Sequence, residues 1–199
     1  MTKRSGMLII IGGHEDKDGD RAILHEVVRP LARGKKRLLI VTAAATVPQE
    51  TADDYKRAFK QMGVGQVDVL DVRDRDQAHD PALIKKLDDA GVIFFTGGDQ
   101  LRLTSQLGGT PLFAQMLELH AKGTVIAGTS AGAAAVPETM LISGQNEASL
   151  RGSMSTLGMA PAVGLLKGVI VDSHFAERGR LGRLLGAVTQ KPLQPGHRP

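Results

Sequence analysis

The sequence predicts an α/β domain with a mostly parallel central sheet and helices on both faces. Three observations predict it. Short runs of Ile, Val and Leu recur along the chain, stretches of helical period separate them, and most runs give way to Gly, Ala or Asp. A strand covered on both faces shows a continuous apolar run. Such strands alternating with helices build parallel sheets.

In chain order, the expected strands are Met7–Ile11, Arg37–Thr42, Val67–Val72, Val92–Thr96, Thr124–Ala127 and Gly168–Val171. Asp20 is suited to cap a helix whose Ile23, Leu24, Val27 and Val28 form one stripe. Pro48 opens a second helix through Tyr55, Phe59 and Met62, which Gly63 stops. Asp80-Pro81 opens a third, with Leu83, Ile84 and Leu87 on one side, and Leu101–Leu107 reads as a further helical stretch. Gly144 to Gly164 lacks periodicity and reads as a long loop, a length at which loops are often functional. One domain over residues 1–190 and an irregular Pro-rich tail over 191–199 account for the chain.

Composition narrows the function classes. With 199 residues, 42% hydrophobic and 23% charged, the chain suits one soluble globular domain. Aromatics are 3% with no Trp, too few for a platform that stacks nucleobases. The net charge of +4 is spread among acidic residues, which reads as a solvated surface rather than a nucleic-acid footprint. There is no cysteine, hence no disulfide, thiolate metal site or cysteine nucleophile. The apolar run Met7–Ile11 is shorter than the roughly 7–15 residues of a secretory segment or the about 18 of a membrane span, so a cytoplasmic protein is expected. No phosphate-loop or dinucleotide glycine motif occurs.

The most informative segment is Gly128-Thr-Ser130-Ala-Gly132, preceded by an apolar strand and followed by small residues of helical character. A sharp strand-to-helix turn of this G-x-S-x-G form lifts a serine hydroxyl clear of the sheet as a nucleophile. It also leaves the Ala131 N–H free to bind a developing oxyanion. The plainer alternative is a tight turn whose serine caps the helix.

A serine nucleophile needs a base, and the base an orienting group. His174, past the end of the expected strand Gly168–Val171, is the candidate base, since α/β sheets build sites at carboxyl ends. His14, after the first strand, is a weaker rival. Between Ser130 and His174 the carboxylates are Glu138, Glu147 and Asp172. Glu147, in the long loop, is favoured as third member. Asp172 competes, because two residues apart on an extended strand means the same face.

Gly97-Gly98 closes the strand Val92–Thr96, and Gly98 is the candidate second oxyanion donor, with Gln100 in the next helix turn facing substrate. A plain strand-to-helix turn is the alternative. Arg180 and Arg183 share a helical face at i, i+3, suited to clamp a substrate carboxylate, while Leu181, Leu184, Leu185 and Val188 are expected to pack inward. The alternative is a solvated basic face.

Four separated segments together give the chain a family likeness: Leu8–Lys17, Thr96–Ser105 with Leu107–Thr110, Gly128–Ala134, and Asp172–Leu185. In this order they resemble the S51 family of serine peptidases, specifically its members that degrade cyanophycin, and the likeness runs to about Gln190. It implies a class I glutamine-amidotransferase-like fold. It implies hydrolysis of a poly-aspartate polymer bearing arginine on each side-chain carboxyl, with β-aspartyl-arginine released. By position it implies Ser130 as nucleophile, His174 as base and Glu147 as third member. Gln100, Arg180 and Arg183 would hold substrate, with no metal or organic cofactor. A homodimer is left open. So are two other readings, a peptidase of aspartyl dipeptides and a non-catalytic binding protein. Ser173 stands where the family usually has Gln. Relatives of this kind continue beyond the arginine helix into further strands, so an unpaired edge and exposed apolar surface are expected here.

Overall fold

A computed structural model of the chain describes residues 5–33, 37–142 and 157–189. Five of the expected strands form, as β1 (Leu8–Ile11), β2 (Arg37–Val41), β3 (Val67–Leu70), β4 (Ala90–Phe95) and β5 (Val125–Thr129). They make one sheet in the order β1-β5-β4-β2-β3, and every pairing is parallel.

Strand alternation divides the core into two layers. Leu39, Val41, Ile93, Phe95 and Ile126 face one side of the sheet; Leu38, Ile40, Val92, Phe94 and Val125 face the other. The first face is covered by α4 (Gln100–Leu107) and α5 (Pro111–Ala121), which contribute Leu103, Leu107, Leu112, Phe113 and Met116. The second is covered by α1 (Ala22–Val28) and α2 (Pro48–Gln61), through Leu24, Val27, Tyr55 and Phe59. The central strands are buried on both faces, which is why their sequences read as unbroken apolar runs. The short α3 (Pro81–Lys85) begins as expected, with the Asp80 carboxylate accepting the Ala82 N–H at 2.8 Å.

Several expectations are corrected. Asp20 does not cap α1: Arg21, in left-handed backbone, precedes the helix, and Asp16 organises the turn by accepting N–H bonds from Asp18, Gly19 and Arg21. Those three bonds, the Arg21 one largest, hold the Asp16 carboxyl down at about 2. Helix α5, capped by the Thr110 hydroxyl with Pro111 in its first turn, adds to the expected helices. Residues 168–171 form no strand, and Val169 is exposed. Part of the expected long loop is instead ordered as β7 (Met159–Pro161), which pairs antiparallel with β6 (Thr139–Leu141). Edge strand β1 shows Ile10 to solvent. Among the described residues no helix is long and apolar enough to cross a membrane.

Candidate active site

Strands β1, β5 and β4 are neighbours, and their carboxyl ends supply most of the site. β5 runs directly into Ser130, whose φ of 53° and ψ of −113° turn the chain into the four-residue helix α6 (Ala131–Ala134). A side chain at positive φ carries strain of order 1–3 kcal/mol, so the surroundings must enforce it. Two glycines do so by letting backbone approach. A Cβ on Gly128 would lie 2.4 Å from the Gly132 oxygen, and one on Gly132 would lie 2.5 Å from the Phe95 oxygen. Across from the serine, Gly97 lets the elbow pack close, since a Cβ there would sit 3.3 Å from Ser130 Cβ. The Ser130 carbonyl accepts the Ala133 and Ala134 N–H groups at 3.1 and 2.9 Å. The first-turn amides of Ala131 and Gly132 have no intrahelical partner to reach.

The end of β1 fixes both halves of the site through main chain alone. The Ser130 N–H donates to the Ile11 oxygen at 3.1 Å, and the His174 N–H donates to the next carbonyl, Gly12, at 2.8 Å. Gly13 then passes against the imidazole, where a Cβ would lie 2.5 Å from the ring. The outcome is a 2.8 Å contact between Ser130 Oγ and His174 Nε2 across 44 positions of sequence.

The far nitrogen of the same ring, Nδ1, lies 2.8 Å from Glu177 Oε2. The other oxygen of that carboxylate lies 2.8 Å from His14 Nδ1. The contacts with His174 first, and with His14 next, hold Glu177 below the usual carboxylate range. An ionised carboxylate only accepts, so Nδ1 of His174 carries the proton and Nε2 is left to accept the serine O–H. His14 and His174 meet edge to face with ring centroids 5.6 Å apart.

The loop after β1 is anchored from below by a buried carboxylate. Glu15, 7% exposed, accepts the Thr129 hydroxyl at 2.6 Å and the Tyr55 hydroxyl. Burial first, then Glu15, push the Tyr55 phenol far above its ordinary value, so it remains a donor. Thr129 is the residue before the serine, which ties the elbow to the loop that carries His14.

The remaining expected site residues fall as follows. Glu147 lies outside the described residues. Asp172 does not face His174: its side chain is 1% exposed and is held by Arg183 through Nε at 3.1 Å and through Nη2, with Arg180 at 3.4 Å. Glu138 is paired at 4.0 Å with Lys167. Arg180 and Arg183 are turned inward, at 7% and 6% exposure, and Arg180 also donates to the Ser173 carbonyl. Nη1 of Arg180 and Nε and Nη2 of Arg183 are thus engaged by the chain itself. The packing face of the last helix, α7 (Leu181–Thr189), is not the one expected: Arg183 and Ala187 are buried and Leu184 half-buried, while Leu181, Leu185 and Val188 are exposed. Gln100 donates from Nε2 to the Leu141 oxygen at 2.8 Å. Gly98, with φ of 138°, is seated against the main chain of Ala44, which also accepts the Asp99 N–H at 2.9 Å. Two functional groups were not anticipated, Glu177 and Glu15. A signal for Glu177 existed, since it stands three residues after His174, the spacing of one helical turn.

Comparison with known proteins places these features in a family. The model of "Peptidase family S51" matches residues 7–197. A cyanophycinase of Trichormus variabilis is 36% identical over 191 residues, covering 95% of this chain and 63% of the relative. One from Synechococcus elongatus is 37% identical over 193 residues, covering 96% of this chain and 59% of the relative. The chain therefore spans about three fifths of the length of the curated relatives it matches. The crystal structure of a peptidase from an acI-B1 Actinobacterium superposes with a TM-score of 0.74 at 24% identity, over 96% of this chain and 78% of that one. That likeness shows the fold, which is class I glutamine-amidotransferase-like.

Proposed function

Because this chain belongs to peptidase family S51, we propose that it is a serine peptidase that hydrolyses cyanophycin through an acyl-enzyme on Ser130. The observation that carries this reading is the 2.8 Å contact of Ser130 Oγ with His174 Nε2, made by two groups held on successive carbonyls at the end of β1. The names of the curated relatives supply the substrate.

In the proposed mechanism His174 takes the hydroxyl proton as Ser130 attacks an aspartyl carbonyl carbon. The Ala131 amide, together with Gly98 at the neighbouring strand end, stabilises the oxyanion. His174 then gives the proton to the leaving amine, and water, deprotonated by the same ring, releases the product from the ester. Glu177 holds the ring in the tautomer that accepts at Nε2 and offsets the positive charge that forms on it. Asp172, Arg180 and Arg183 act below the site by fixing the Ser173-His174 backbone. Gln100, at the first turn of α4, is the side chain proposed to face substrate.

The test is turnover of cyanophycin, with serine labelling by a fluorophosphonate as a second readout. Ser130→Ala is expected to lose both. Glu177→Gln, which replaces the acceptor with a group able to donate, is expected to lower the rate by about 10⁴, while Glu147→Gln stays near the native rate. The opposite ranking of the two glutamate variants would transfer the orienting role to Glu147. Labelling that survives Ser130→Ala would end the peptidase reading.

A further inference from the structure

The carboxylate of Glu177 is shared between two imidazoles, and His14, one of them, has no part in the proton transfers above. We propose that His14, His174 and Glu177 form a site for a divalent transition metal, Zn²⁺ above all, whose occupancy switches Ser130 off. The switching rests on the peptidase reading; the metal site does not.

The donor set is two imidazole nitrogens and one carboxylate, a combination that binds zinc and leaves a fourth position for water. The three donor atoms lie within 4.8 Å of one another, and no other such trio of His, Asp or Glu converges among the described residues. Zinc sits about 2.0–2.1 Å from such ligands, so two of them are about 3.3 Å apart at a tetrahedral angle. Both nitrogen-to-carboxylate spacings, at 2.8 Å, need to open by only about 0.5 Å to admit the ion. The widest pair needs to close by at most about 1.5 Å. His14 is free to make that movement, since its side chain is 80% exposed. The rings meet at 81°, edge to face, with a nitrogen of each against the same carboxylate. The site is also held from behind, by Glu15 on one side and by the Gly12 carbonyl bond to His174 on the other.

Other histidines are spent differently. His79 Nδ1 contacts the Arg75 oxygen and His120 Nδ1 the Thr124 oxygen, each four residues away.

The consequence for catalysis follows from imidazole chemistry. A metal on Nδ1 of neutral His174 takes that lone pair, so the ring proton must move, through solvent, to Nε2. Nε2–H then donates to Ser130 Oγ and has no lone pair with which to accept the serine proton. The same ion removes Glu177 from its orienting contact. Metal binding and serine activation are therefore mutually exclusive states of one ring.

The experiment titrates ZnCl₂ into the chelator-stripped chain, following heat of binding and, in parallel, the peptidase rate. One zinc per chain is expected, with the rate falling by about 10² or more at saturation, the usual contribution of a positioned base, and returning on addition of EDTA. His14→Asn keeps a residue tolerant of the left-handed backbone found there (φ 57°) but removes the imidazole. It should weaken zinc by no less than the roughly 10–100-fold that loss of a mere supporting partner costs. The inhibition of its own metal-free rate should weaken in step, while His79→Asn binds as the native chain does. Equal zinc affinity in His14→Asn and native protein overturns the site, and stoichiometric binding without loss of rate overturns the switch. The catalytically inert Ser130→Ala chain separates the two readings. If it binds zinc through His14 while the native chain neither labels nor hydrolyses, the peptidase reading fails and the metal site stands.

Discussion

The two halves of the site are built by opposite means. The serine side is made by removing side chains: Gly128, Gly132, Ala131, Ala133 and Ala134 are all buried, and the elbow holds its shape because backbone packs on backbone. The histidine side is made with charge. Asp172, Arg180 and Arg183 are buried together beneath Ser173-His174, and Glu177 and His14 stand above it. Steric construction is intolerant of a methyl group but indifferent to charge, whereas ionic construction is the reverse. Each half should therefore break under a different substitution.

The largest effect is expected at Asp172. Its carboxylate is the counter-charge of two arginines whose side chains are 7% and 5% exposed. Removing one member of a buried ion group leaves unpaired charge and typically costs about 3–5 kcal/mol. Asp172→Ala should lower the denaturant midpoint accordingly. The comparison sharpens with Asp172→Leu, Arg180→Met and Arg183→Leu combined, because apolar replacement of a whole buried group is often neutral or stabilising. The triple variant is expected to recover most of the lost stability. A single variant as stable as the native chain would show that this side does not rest on charge.

The elbow should break under a change of one carbon. A Cβ at Gly132 meets the Phe95 oxygen at 2.5 Å, a main-chain atom of the neighbouring strand that has little room to retreat. Overpacking of this kind costs about 1–3 kcal/mol. Turnover should suffer more than stability, since displacing a catalytic group by about 1 Å is enough for a 10²-fold loss. Gly132→Ala is thus expected to fold, with a modestly lowered midpoint, and to hydrolyse at least about 10²-fold more slowly. Near-native turnover would show that Ser130 is not held by this contact.

The same division explains what the sequence made legible. Strands β1 to β5 and the elbow were readable because their signals are local: apolar runs, and glycines at fixed offsets around a serine. His174 was readable because it follows an apolar run, although residues 168–171 form no strand. The charged half was not readable in the same way. Glu177 and His14 are 163 positions apart, and no local pattern announces that they meet. Asp172 and the arginines are visible as residues, but strand alternation points Asp172 at His174, and the i, i+3 spacing points the arginines at a substrate carboxylate. Those rules fail where a buried carboxylate gives guanidinium groups an internal ligand.

The smallest predicted effect tests that last point on helix α7. An amphipathic reading buries its leucines, yet Leu185 is 56% exposed and Ala187 only 2%. If Asp172 rather than apolar area decides which way the helix faces, a charge placed on the leucine stripe meets water and one placed at Ala187 meets protein. Leu185→Lys is then a surface substitution, expected to stay within about 0.5 kcal/mol of the native chain. Ala187→Lys buries an ammonium without a partner and should cost clearly more. Paired denaturant curves give the ranking directly, and the reverse order would mean that the helix packs by its leucines, with the arginines facing out to a ligand.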